Sequence, residues 1–307
     1  MKNDIKNILI SGSLVYDKIF VYPGYFKDSI IAKKIDCLAL TFHAQRIDEY
    51  FGGTAGNIAY NLSLLEERPI ILSTAGYDFS LYGKWLVKNK IDISQIKEIK
   101  NKKTGLFYVI TDRAGSQIAS YFDGALAVNR GEFNKKLLKD SMAIISPGNQ
   151  RDMHDYARLY QKNKVKYIFD PGQELTRMPV RILKTGVAGA EILIANDYEI
   201  NLILKKFGWT KKKLIDKVKT LIITRGIKGS EIYHKNKIYR IAAVKSKKII
   251  DPVGAGDAYR AGLIKGLIMD WPAQKIGRFA SLVAFYAVGG LGAQSHKFKW
   301  SDLRKKL

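Results

Sequence analysis

The chain has one cysteine, Cys37, among its 307 residues, so it can close no intramolecular disulfide and build no thiolate zinc site. Long apolar runs are also missing. The longest, Phe279 to Ala293, is too short to span a bilayer and is broken by glycines, so no membrane contact is expected. The start, Met1-Lys2-Asn3-Asp4, leads straight into an apolar strand without a signal-peptide pattern, and the simple expectation is a cytoplasmic protein. Acidic residues are scarce: 28 Asp and Glu stand against 52 Lys and Arg, a formal net charge of +24. Such an excess raises the prospect of a polyanionic partner. The lysines, however, are spread along the chain in company with Ile and Asn. The densest clusters, Lys211-Lys212-Lys213 and Lys245-Ser246-Lys247-Lys248, are short and lack interleaved aromatics. No helix-turn-helix, finger or RNA-binding signature goes with them, so specific nucleic-acid binding is not expected. The charge reads as compositional bias that helps draw in an anionic nucleotide at low salt. A basic, non-catalytic nucleic-acid-associated protein remains the alternative from another class.

What is present is enough apolar material, 47% of residues, for one large α/β domain with an appendage. The informative stretch is Asp251-Pro252-Val253-Gly254-Ala255-Gly256-Asp257-Ala258-Tyr259-Arg260-Ala261-Gly262, which reads as a tight loop opening a helix. The first amides of a helix have no internal partner and carry the positive end of its dipole, so anions bind there. Gly254, Ala255 and Gly256 would let a large anion approach the backbone. A carboxylate beside such a hole repels the anion, so Asp257 needs a reason. Either it takes a proton from a nucleophile attacking a bound phosphorus, or it caps the helix.

The rest of the chain supplies βα units. Ile8 to Ile10 predicts a buried first strand, and Asp17 falls just past its C-terminal end, where ligands sit in open α/β sheets. Short β-prone pieces follow, Ile19 to Tyr22 and Cys37 to Leu40. Thr104 to Phe122 predicts a hairpin turning at Asp112 to Gly115. Residues 14–50 and 104–123 are therefore expected to form one small β lid. Gly52-Gly53 precede a helix whose first turn offers Asn57 as donor and acceptor. Ile70 to Gly76 predicts a strand and Asp78 to Lys90 a helix. From Met142 the alternation is regular: strand Ala143 to Ser146, helix Met153 to Asn163, strand Tyr167 to Phe169, helix Val180 to Gly186, strand Ile192 to Ala195. This predicts a mainly parallel sheet with right-handed crossovers. Asn196 with Glu199 reads as a capping box. Leu221 to Thr224 predicts a strand entering the turn Arg225-Gly226-Ile227-Lys228-Gly229, and Lys275 to Val288 predicts a late helix.

Asp251 to Gly262, preceded about two hundred residues earlier by Phe51-Gly52-Gly53-Thr54-Ala55-Gly56-Asn57-Ile58-Ala59, resembles the paired signatures of the ribokinase/PfkB-like carbohydrate and nucleoside kinases. The resemblance implies the ribokinase-like fold, a central mostly parallel sheet flanked by helices. It implies phosphoryl transfer from ATP, with Asp257 as general base and Gly254, Ala255 and Gly256 as the anion hole. Gly12-Ser13-x-x-x-Asp17 looks like the family's first substrate motif, whose Asp accepts hydrogen bonds from sugar hydroxyls. By the same resemblance Glu199 would reach magnesium through water, and Asn196, Thr224, Arg225, Gly226 and Gly229 would meet ATP. A monovalent cation and a homodimer formed through the lid are compatible with it.

Tyr22 to Phe26, Gln117 to Tyr121, Asp170 to Leu175, Asn196 to Glu199 and Gly208-Trp209 are similar to the bacterial type of adenosine kinase. By matching motif, Ser13, Asp17, Thr41, Gly52, Gly53, Asn57, Phe107, Tyr121 and Gln173 would line a nucleoside pocket, making AMP from adenosine. Glu174 departs from the pattern where a second Gln is usual, and Asp123-Gly124 stands where Pro-Gly is expected. The competing reading within the family is a sugar kinase for ribose or a fructose-like acceptor.

Overall fold

The computed structural model describes residues 5–30, 39–244 and 250–306. Cys37-Leu38, expected in a short strand, and the cluster Lys245 to Lys248 lie outside them. The strands are β1 (Asn7–Ser11), β2 (Val15–Val21), β3 (Arg46–Gly52), β4 (Pro69–Gly76), β5 (Ile96–Ile99), β6 (Gly105–Thr111), β7 (Gln117–Phe122), β8 (Ser141–Ile145), β9 (Lys166–Phe169), β10 (Ile192–Asn196), β11 (Thr220–Thr224), β12 (Ser230–His234) and β13 (Lys237–Ile241). The helices are α1 (Phe26–Ser29), α2 (Thr54–Leu64), α3 (Ser80–Lys88), α4 (Gln150–Lys162), α5 (Val180–Ala188), α6 (Asp197–Phe207), α7 (Lys211–Lys217), α8 (Ala255–Ile268), α9 (Ala273–Ala287) and α10 (Trp300–Arg304).

Nine strands form the main sheet in the order β13-β12-β11-β10-β9-β8-β1-β4-β5. From β11 to β5 every pairing is parallel, and only the β11–β12 and β12–β13 pairings are antiparallel. The continuous apolar runs of the central strands follow from burial on both faces. Alternation divides each strand between two cores: Ile8 and Ile10 face α2, α3, α8 and α9, whereas Leu9 faces α4, α5, α6 and α7. The parallel strands deliver their C-terminal loops to one edge, where β1, β10 and β11 end in Ser11, Asn196 and Thr224.

A second sheet, in the order β3-β2-β6-β7, is assembled from the two regions expected to pair. Its register fixes one row of side chains: Tyr50 opposes Asp17, Asp17 opposes Phe107, and Phe107 opposes Tyr121. Strand neighbours in register share a face. Asp17 is therefore a strand residue of the small sheet, within the 14–50 region expected to belong to the lid, and Ala39-Leu40 is irregular. Helix α4 begins at Gln150, before the expected Met153, because the Asn149 side chain caps it by accepting from the amides of Arg151 and Asp152 at 3.0 and 3.3 Å. Elements that were not expected include β5, the short helices α1, α7 and α10, and the hairpin β12–β13. The hairpin's two-residue turn, Lys235-Asn236, has φ of 48° and 59°, the left-handed pair that such turns require.

Gly53 carries the junction between the two sheets, entering α2 at φ 89°, and a Cβ there would lie 2.5 Å from the Ser13 carbonyl oxygen. Gly226 also has positive φ, 54°, but nothing lies within 4 Å of an added Cβ. Gly53→Ala is therefore expected to cost about 2–4 kcal/mol, the clash adding to the left-handed penalty, and Gly226→Ala about 1–2 kcal/mol. Urea denaturation of the two variants measures the difference, and equal midpoints would contradict it.

Candidate active site

The loop that opens α8 is held by one carboxylate. Asp251 Oδ1 accepts from the Val253 amide and Oδ2 from the Gly292 amide, both at 2.9 Å, so the loop and the 289–293 turn are locked together. Gly254 caps α8 in the left-handed region, φ 78°, and a Cβ there would lie 2.5 Å from Ala293 Cβ. The expected row of three amides is altered. The Ala255 amide donates to the Pro252 carbonyl at 3.2 Å, and those of Gly256 and Asp257 have no backbone partner among the described residues.

Asp257 does not cap the helix. No side chain caps α8, and Asp257 Oδ2 instead accepts from Asn57 Nδ2 at 2.8 Å, linking α8 to the first turn of α2. Burial pushes the Asp257 carboxyl up to about 6, while Arg260 and the Asn57 donor work against the rise. Asp17 is 8% exposed and is pushed up to about 7, first by burial and then by the charges of Asp257 and Asp251. A Cβ on Gly52 would lie 2.2 Å from Asp17 Oδ2, so only glycine lets β3 pass this carboxylate. Beneath the loop the buried Arg260 pairs with the buried Asp170. Arg260 Nη1 lies 2.7 Å from the position of a Cβ on Gly256, so the guanidinium underlies the anion loop.

The other expected residues fall into three groups. Asn196 and Thr224 are register partners at the ends of β10 and β11. Asn196 and Glu199 form a complete capping box, 2.8 Å each way, and burial followed by the nearby Asp170 raises the Glu199 carboxyl. The Arg225 guanidinium is engaged with Glu231 at 3.0 Å. Gly226 and Gly229 take φ of 54° and 86° around their turn. Ser13 is buried and its hydroxyl accepts from the Thr54 amide at 3.0 Å, so it serves the entry of α2. Thr41 is exposed in an irregular segment before β3. Phe107 and Tyr121 lie 6.5 Å apart, and Tyr121, with Gln173, lines a cleft of about 430 Å³.

The pfkB family of carbohydrate kinases matches residues 19–299. This chain belongs to that family. A nucleoside kinase of Methanocaldococcus jannaschii is 30% identical, covering 84% of this chain and 86% of that protein. A solved nucleoside kinase of Burkholderia thailandensis in complex with inosine superposes with a TM-score of 0.85 at 29% identity, over 97% of this chain and 96% of that one. The same enzyme in complex with ADP-inosine gives a TM-score of 0.82. The pfkB-family chain described here is an ATP-dependent kinase acting on an alcohol group, and its fold is ribokinase-like.

Two sequence departures within this pfkB kinase prove to be one feature. Arg177 donates through Nη1 and Nη2 to Asp123 at 3.0 and 3.1 Å, and through Nε and Nη2 to Glu174, both at 2.9 Å. Asp123 follows β7 of the small sheet and Glu174 follows β9 of the main one, so the departures form an ion-paired wall of the cleft. Sequence reasoning also passed over Tyr50, Tyr82, Trp85, Arg260 and Gln294. For Tyr50 a signal existed, since strand alternation puts it on one face with Asp48 and Gly52, opposite Phe51. Gln294 lies in an irregular segment, and no pattern marks it.

Asp17 bears on stability in a definite direction. Its folded pKa, about 7, exceeds the ordinary value of 3.8, so the folded state binds the proton more tightly. The stabilisation is complete below about pH 4 and is lost as pH rises through 7. Asp17→Asn should therefore unfold at a higher temperature than the wild type at pH 8, with the gap closing toward pH 4. Thermal unfolding across that range checks it, and a gap that is constant or widens toward acid would contradict the assignment.

Proposed function

We propose that this kinase transfers the γ-phosphoryl group of ATP to the 5′-hydroxyl of a nucleoside, adenosine before others. The observation that carries the reading is the row Asp17–Phe107–Tyr121 across the small sheet. A sugar needs only the carboxylate, which suits a vicinal diol. Two aromatic rings beside it, the second 43% exposed and opening on a cleft of about 430 Å³, offer a base a stacking surface and room. The small sheet of β2, β3, β6 and β7 then acts as a lid that keeps water from the phosphoryl group. The names of the relatives favour a nucleoside over a free sugar.

In this reading Asp257 removes the proton of the attacking hydroxyl. The oxygen bonds to the γ-phosphorus, the bond to the β–γ bridging oxygen breaks, and ADP leaves with that electron pair. The Gly256 and Asp257 amides and the underlying Arg260 face the charge that develops. Asn196, Thr224, Arg225, Gly226 and Gly229 form the nucleotide end, Arg225 exchanging Glu231 for phosphate. Ser13, Thr41, Gly53, Asn57 and Gln173 complete the acceptor end. Glu199 keeps one carboxylate oxygen outside its capping box, which fits a magnesium ion held mainly by phosphates and water; the ion would neutralise phosphate charge.

Base catalysis by a positioned group contributes about 10²–10⁴-fold, so Asp257→Asn should lower kcat by that factor while ATP still binds. Because the carboxylate is the active form, kcat/KM should rise through about pH 6 in the wild type. ADP release against adenosine, other nucleosides, ribose and fructose tests the acceptor. Phe107→Ala should raise KM for adenosine by about 5- to 150-fold, the equivalent of about 1–3 kcal/mol of stacking. Higher kcat/KM for ribose or fructose than for adenosine would defeat the nucleoside reading and leave a sugar kinase.

A further inference from the structure

A chain of buried polar side chains runs from α3 to Asp257, and its direction is set at one end. Trp85 Nε1 donates to Gln294 Oε1 at 3.0 Å. An indole nitrogen can only donate, so this contact fixes which way round the Gln294 amide sits. Gln294 is 5% exposed, and its nitrogen spends both hydrogens: one on Asn57 Oδ1 at 3.0 Å, one on the Tyr82 hydroxyl at 2.7 Å. Asn57 is also 5% exposed, and with its oxygen accepting there its nitrogen must face the other way, 2.8 Å from Asp257 Oδ2. Tyr82, having accepted from Gln294, donates to the Gly52 carbonyl at 2.8 Å, and the Gly52 backbone packs on the Asp17 carboxylate. Tyr82 is fully buried and stacks on Phe51 at 4.6 Å, so the branch point cannot drift.

We propose that Trp85 and Gln294 are positioning residues that hold the Asn57 amide with its N–H toward Asp257, and so keep the base in its charged, hydrogen-bonded form. This rests on Asp257 being the base. Without the relay Asn57 could turn its oxygen to Asp257, and two acceptors would then face each other. The surroundings make the donor matter. Arg260 on α8 is the cation near Asp257, and it is shared with Asp170. Asp170 from the loop after β9 opposes charge on Asp257; Asp17 from β2, with Asp251 beside it, is itself raised by Asp257; and Tyr82 from α3 stays neutral among these carboxylates. Asn57 supplies the one neutral donor that Asp257 has among the described residues.

The test is the pH dependence of kcat for Gln294→Leu, Gln294→Glu and Trp85→Phe, each with bound-ATP calorimetry and near-UV circular dichroism as folding controls. Gln294→Leu removes the donor to Asn57, and Gln294→Glu keeps the acceptor for Trp85 while offering Asn57 no hydrogen. Both should move the acid limb of kcat upward by about 1 pH unit, with the KM for ATP unchanged and much of the loss recovered at pH 8–9. Trp85→Phe keeps the ring packing and should move the limb the same way by less. It stands as the deciding variant if either change at Gln294 prevents folding. Folded variants whose acid limb stays at the wild-type pH, or whose kcat falls equally at every pH, would overturn the relay and leave Gln294 a packing residue. A near wild-type kcat for Asp257→Asn would be a distinct failure, removing the base and the relay with it.

Discussion

Two carboxylates forced to share a partly desolvated cleft are the constraint on which the site depends. Asp17 comes from the small sheet and Asp257 from the first turn of α8; burial raises the cost of charging both, and the charge of Asp257 adds to the cost at Asp17. The neighbourhood is arranged to hold them. Gly52 and Gly53 let β3 and the start of α2 pass the Asp17 carboxylate and the Ser13 carbonyl without contact from a side chain. Arg260, buried and paired with Asp170, puts one cation under the anion loop, and Asn57 supplies a donor from α2. A buried ion pair adds little to stability. Its use here is to place a guanidinium where Gly256 leaves room for it.

The fold was legible wherever hydrophobic periodicity and small-residue turns coincide. The parallel core, from β8 through β11, reads directly as strand–helix alternation because each central strand is buried on both faces. The two signature stretches were legible for a related reason: Gly53 and Gly254 carry positive φ at helix entries, which few residues other than glycine tolerate. What stayed hidden are long-range pairings. Asp17 could be placed only as lying just past the end of β1, because β2 begins only four residues after β1 ends and no local pattern says that β2 joins a different sheet. The β12–β13 hairpin went unread because Lys235-Asn236 lacks the glycine that usually marks such a turn, although both residues adopt left-handed φ.

Site residues divide along the same line. Asn196 and Glu199 read locally as a capping box, and the structure makes that box complete. A local role does not exclude a second one, since the box occupies one oxygen of Glu199 and places the other beside Asp170 and Arg260. Glu174 and Asp123, each odd when taken alone, are explained only by Arg177, which touches both from 3 and 54 residues away in sequence. Gln294 is the extreme case: its partners lie 209, 212 and 237 residues away, so no window along the chain contains the pattern.

The charge of the chain takes on meaning when the site is set against it. Acidic residues are few overall, yet Asp17, Asp170, Glu199, Asp251 and Asp257 converge on one edge of the main sheet, with Arg260 among them. A bare triphosphate approaching that edge meets carboxylates at short range, where screening by salt is weak. The lysine-rich surface can raise the rate of encounter at long range but cannot cancel repulsion inside the cleft. In the proposed reading a cation travelling with the phosphates would offset that repulsion, which gives a physical reason for a carboxylate such as Glu199 at the nucleotide end. Burial, with neighbouring carboxylates adding to it, holds Asp17 and Asp257 near the middle of the pH range, and in the proposed reading a cation entering with the nucleotide would lower both, charging Asp257 as the phosphoryl donor arrives.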